Sequence, residues 1–221
     1  MNRATKLTAR LMGFAALGLA LAGCAREGEL AMAGDGVGIT AIRTVCPAVG
    51  VPDYTGNITT FAGNGAPTLG NLDVTATITN VRSQCSESND KVYSAASFDV
   101  LARRNGTQGA RRVELPYFST VLRGNSAVVS KRIGTVVIDF ADGQDRATGK
   151  GIAGAFINRA DATLPQDIRE QITRRRKPGD PDAALDPLQD PAVRAAVARA
   201  SFELLVGFQL TEEQLAYNAT R

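Results

Sequence analysis

The sequence predicts a mainly β fold: an antiparallel sandwich of immunoglobulin-like or fibronectin-like architecture over residues 39–164, followed by a small helical segment over residues 165–221. Three observations carry this expectation. Leu72, Val74, Ala76 and Ile78 alternate with Asp73, Thr75, Thr77 and Thr79, the period of two that marks a strand with one face on a core. Turn signals then recur about every 10 to 15 residues. No helical period separates the strands, which disfavours a parallel βαβ arrangement.

In chain order, residues 39–46 (ITAIRTVC) form the first β-like run. Pro47, Pro52, Gly56, Gly63, Gly65 and Pro67 punctuate a loop-rich stretch with one short candidate strand at residues 58–61. The alternating run from Leu72 ends in the polar loop at residues 86–91. Residues 92–103 alternate less cleanly and stop at Asn105-Gly106, a hairpin-type turn. Further strands are expected at 113–122, at 127–140 with its β-branched Val136, Val137 and Ile138, and at 151–158 after the Asp142-Gly143 turn.

Beyond Thr163 the pattern changes. Pro165 opens a helix-compatible run, PQDIREQITRRRK, with Asp167 early and basic residues late, as the helix dipole favours. Pro178 and Gly179 stop it. Asp190 caps a second helix with Pro191 at its first position, and Val193, Val197, Ala200 and Leu204 recur at helical spacing. Thr211-Glu212-Glu213-Gln214 is a capping-box pattern for a last short helix.

The amino-terminal end reads as an address. Arg3, Lys6 and Arg10 form a positive stub, and residues 11–22 are almost wholly apolar. Twelve apolar residues fall short of the roughly 20 a membrane-spanning helix needs. The order Leu21-Ala22-Gly23-Cys24 resembles the lipobox of bacterial lipoproteins, a resemblance confined to residues 1–24. It implies a signal peptide at 1–23 and acylation of Cys24, with the membrane reached through acyl chains. Ala25 stands where that family's inner-membrane retention signal would be an Asp, so the outer membrane, with the body facing the periplasm, is the expected destination. Residues 24–38, small and Gly-rich, then read as a flexible tether.

With Cys24 acylated, Cys46 and Cys85 remain as an even pair, expected to form a disulfide in an oxidising periplasm, with two reduced buried thiols as the alternative. Closing a loop of about 40 residues is worth about 4 kcal/mol in the chain-entropy account. Loss of residues 1–23 leaves 22 basic residues against 22 acidic ones, so net charge gives no reason to expect a nucleic-acid partner. His is absent altogether. Ser-His-Asp and Cys-His nucleophiles and His-based zinc sites are thereby excluded.

Two clusters stand out as candidate sites. Arg174, Arg175, Arg176 and Lys177, with Arg169, suit an anionic ligand or an acidic protein face, against the plainer reading of a solvated helix end. Asp139, Asp142 and Asp145 superficially resemble a calcium loop, but their spacing is not that of an EF-hand and a strand end with its turn explains them equally. No cofactor is expected. The leading expectation is a non-enzymatic, lipid-anchored accessory protein that binds an envelope protein partner through the basic helix end or a sheet edge. Binding of peptidoglycan, lipopolysaccharide or another envelope polysaccharide is the alternative, and a carboxylate-dependent hydrolase comes third.

Overall fold

The computed structural model describes residues 44–63, 67–174, 181 and 185–220. Among these residues, eight strands make two four-stranded sheets. One has the order β1 (Ala48–Gly50), β8 (Phe202–Phe208), β5 (Arg111–Arg123), β6 (Ala127–Phe140). The other has the order β2 (Asn57–Phe61), β3 (Leu72–Glu87), β4 (Lys91–Arg104), β7 (Arg146–Asn158). Neighbours pair antiparallel except β1 with β8, which run parallel.

Alternation decides which face is inside. Val74, Ala76 and Ile78 of β3 and Phe98, Val100 and Ala102 of β4 meet Leu115 and Val121 of β5, Val136, Ile138 and Phe140 of β6, and Leu204, Val206 and Phe208 of β8 in one core. The layered sandwich is therefore the expected one. Its connectivity is its own: the order of immunoglobulin constant domains is A-B-E-D with C-F-G, whereas here the last strand lies between the first and the fifth.

Aromatic rings lie on glycines of the neighbouring strand. A Cβ at Gly151 would sit 2.2 Å from the Phe98 ring and one at Gly134 would sit 2.5 Å from that of Tyr117, and both pairs are directly opposite in register. The ring covers backbone that glycine leaves bare. The inward residues of β7 are small throughout most of its length (Ala147, Gly149, Gly151, Ala153, Ala155), which is why the strand begins five residues before the expected 151: small residues give no apolar alternation to read.

The C-terminal part differs from its expected form. Among the described residues it holds four α-helices: α1 (Arg159–Ala162), α2 (Gln166–Thr173), α3 (Pro191–Ala200) and α4 (Glu212–Ala219). Asp190 caps α3 by accepting from the Ala192 amide at 2.8 Å, and Thr211 and Gln214 form the expected capping box of α4. The helical stripe nevertheless stops at Ala200, and Leu204 belongs to β8 rather than to a helix. Ser201 takes an extended conformation and its hydroxyl donates to the Val197 carbonyl, ending α3. Phe202, Leu204, Val206 and Phe208 then follow the period of two, so the segment 165–221 contributes an inner strand of the sandwich as well as helices. Helices α2 and α3 share a small core of Ile172, Val193 and Val197. Of the first expected β run, residues 39–43 lie outside the described residues and residues 44–46 are not in a strand; the first described strand is Ala48–Gly50, between Pro47 and Pro52.

Candidate functional site

The two halves of β6 have different surroundings. From Val136 to Phe140, buried and exposed residues alternate, and β7 closes over this half at Gly149, where a Cβ would stand 2.6 Å from Val136 Cγ1 and 2.8 Å from the Val137 carbonyl oxygen. From Ala127 to Ile133 every residue is exposed, including Val128, Val129 and Ile133. Tyr117 stands at the boundary. Its ring covers Gly134 and meets Phe98 edge-on with centroids 5.2 Å apart, and its hydroxyl donates to the Ile152 carbonyl of β7 at 2.6 Å. Burial pushes this hydroxyl's pKa up, keeping the neutral phenol that can donate.

The open half carries two cations. Counting from the buried Val136 and Ile138, Ile133 and Lys131 lie on the outer face of the sheet and Arg132 on the inner-facing side. The Lys131 ammonium rests 5.3 Å from the centre of the Phe118 ring, a cation–π contact. Neither Lys131 nor Arg132 pairs with a carboxylate among the described residues. On the other sheet, the exposed Phe156 leans on Tyr93 with centroids 4.8 Å apart, and exposed Ile152 flanks them on the same strand face.

The residues singled out in the sequence are distributed as follows. Cys46 and Cys85 are joined in a disulfide, Cα atoms 6.1 Å apart, that ties the segment entering β1 to the far end of β3 and so links the two sheets. Cys24 lies outside the described residues, as do Arg175, Arg176 and Lys177. Arg169 is exposed on α2 and Arg174 caps its end, their positions about 140° apart around a helix of 3.6 residues per turn, so these two do not share a face. Asp139, Asp142 and Asp145 do not converge. Asp139 accepts both ends of the Arg112 fork, Asp142 accepts from the Gly109 amide and Asp145 pairs with Arg103.

Those contacts belong to an arginine-knitted end of the sandwich that the sequence reading missed. Arg104 is 4% exposed, and its guanidinium donates to the carbonyls of Gln144, Thr107 and Ala141 at 2.9–3.1 Å while lying over the Phe140 ring. Arg111 of β5 forks onto Asp73 of β3, joining the two sheets. That bidentate hydrogen bond holds the Asp73 carboxyl below the usual aspartate range and raises the Arg111 guanidinium. The only available signal was arginine density at strand ends, and nothing in adjacent Arg103 and Arg104 says which is buried.

The described residues contain no group of three His, Cys, Asp or Glu side chains that could hold a metal ion, and no helix long and apolar enough to cross a membrane. Among the described residues, the open half of β6 is a strand edge with exposed β-branched residues and two cations that pair with no carboxylate. No protein family, no curated protein and no solved structure matches this chain.

Proposed function

We propose that this chain is an exported lipoprotein, acylated at Cys24 and held at the outer membrane facing the periplasm, whose folded body binds an envelope protein without catalysing a reaction. The observation that carries the reading is the Cys46–Cys85 disulfide. Disulfides of this kind belong to oxidising compartments, and the pairing uses two of three cysteines while the third stands in the Leu-Ala-Gly-Cys sequence. The partner role is supported by the open edge of β6, because an unpaired edge strand is a template for another chain.

In-cell crosslinking of the lipidated protein, followed by mass spectrometry, tests the partner role. One dominant envelope protein is the expected product, and capture of glycan alone would contradict it. Cys24→Ala is expected to abolish acylation and release the protein from the membrane fraction; continued acylation would contradict the anchor.

A second reading, binding of peptidoglycan or another envelope polysaccharide, is favoured by one feature. Phe156 is 71% exposed on a sheet face and backed by Tyr93, a ring available for stacking on an apolar sugar face. Saturable binding to one polymer that is lost in Phe156→Ala would establish it.

A further inference from the structure

We propose that the open half of β6 is a strand-addition site for an extended, acidic segment of a protein partner. The proposal rests on the partner-binding reading above and specifies its edge and its chemistry.

Among the described residues, the other edges are short, covered or polar. β1 offers three residues. β2 is covered by α4, whose Asn218 amide donates to the Tyr54 and Asn57 carbonyls at 2.7 and 2.8 Å and whose Tyr217 packs edge-on against Phe61. The part of β3 that runs beyond β2 is polar (Ser83, Gln84, Ser86) and is where the Cys46 segment is tied down. The edge of β7 faces β6 at Gly149 and has its Ile152 carbonyl taken by Tyr117. Proteins manage edges by such shortening and covering because an open edge pairs with whatever chain arrives. Among the described residues, neither device operates on the open half of β6. A bulge lies opposite Val121 and Leu122, and regular register with β5 then runs from Ser130 to Ile133 within the open half, within the usual range of strand lengths.

Charge selects the occupant. No Asp or Glu occurs from Gly124 through Ile138, and within the open half the exposed polar stretch is Ser130-Lys131-Arg132. A second copy of this chain paired through the same half would bring four cations within one or two positions of each other, which cross-strand pairing penalises. An acidic strand is complementary. Lys131 and Arg132 emerge on opposite faces, as adjacent residues of any strand do, so the fitting sequence has two adjacent carboxylates, flanked by β-branched residues to lie beside Val128 and Ile133. Arg132 offers a carboxylate its planar fork.

The test uses the full chain and two capped nine-residue peptides of alternating Val and Thr, one with a central Asp-Glu pair and one with a central Lys-Lys pair, followed by fluorescence anisotropy. The acidic peptide is expected to bind saturably, with a preference of at least about tenfold over the basic one, and to weaken between about 50 and 500 mM salt. The double reversal Lys131→Glu with Arg132→Glu, at exposed positions that leave the core intact, is expected to invert the preference. No binding, equal binding of the two peptides, or an unchanged preference in the reversed chain would overturn the proposal; these are the results expected if the two cations serve only to keep the edge from self-pairing. In-cell crosslinking of the reversed chain separates this site from the broader reading. Loss of the captured partner supports the edge, whereas a partner retained in full overturns the edge and leaves the partner role standing.

Discussion

The two halves of β6 are one continuous strand against one neighbour, β5, and both are rich in β-branched residues. The half at Val136–Phe140 alternates core and surface residues, and the half at Ala127–Ile133 is surface throughout. What differs is the second neighbour. Gly149 lets β7 approach the first half closely enough to bury it, and Tyr117 bridges the gap at Ile152 where that approach ends. Composition therefore decides that β6 is a strand, and a glycine and a tyrosine on other strands decide which part of it is interior.

The closed side can be broken at a buried polar contact. Arg104→Ala strands three carbonyls and removes the cation over Phe140, and is expected to cost about 3 kcal/mol in urea unfolding, while Arg103→Ala, in an exposed pair with Asp145, changes the midpoint little. Gly149→Ala forces a methyl into Val136, Ile138 and backbone, and about 2 kcal/mol of destabilisation is expected. A neutral result there would mean that β7 does not close over β6.

Tyr117→Phe keeps the ring and deletes the hydroxyl that reaches Ile152, an expected loss of about 1 kcal/mol. The same bond has a pH signature. Because burial raises the Tyr117 pKa, its contribution is intact below the ordinary tyrosine range and fades as pH rises through the raised value; alkaline unfolding of the wild type and Tyr117→Phe should converge there. Asp73 has the opposite sign. Its pKa is lowered by Arg111, so its contribution is present above the usual aspartate range and disappears as pH falls through the lowered value. Asp73→Asn should flatten the acid limb of a stability profile, by an amount reduced by the partial exposure of both side chains.

The smallest effect is expected on the open half. Val128→Thr replaces a residue that is 65% exposed and should shift stability by no more than about 0.5 kcal/mol. A larger loss would show that something in the free protein covers this edge.

Much of the fold was legible, and the rest was not, for local reasons. The alternation from Leu72 identifies β3, and Val136, Ile138 and Phe140 show the period of two in β6. The caps at Asp190 and Thr211 are read from side-chain chemistry that acts within three residues. β8 escaped because the apolar spacing of α3 runs into it without a glycine or proline, although Phe202 to Phe208 carry their own alternation. The start of β7 escaped because its inward residues are small. The open half of β6 could not be distinguished at all: exposure on both faces follows from the absence of a second neighbour among the described residues, and an absent neighbour leaves no mark on Val128, Val129 or Ile133.

Backbone hydrogen exchange along β6 in the free full chain tests the central claim most directly. The account predicts that amides from Ser130 to Ile133 that point away from β5 exchange rapidly, while those from Val136 to Phe140 are protected. Equal protection along both halves would contradict it.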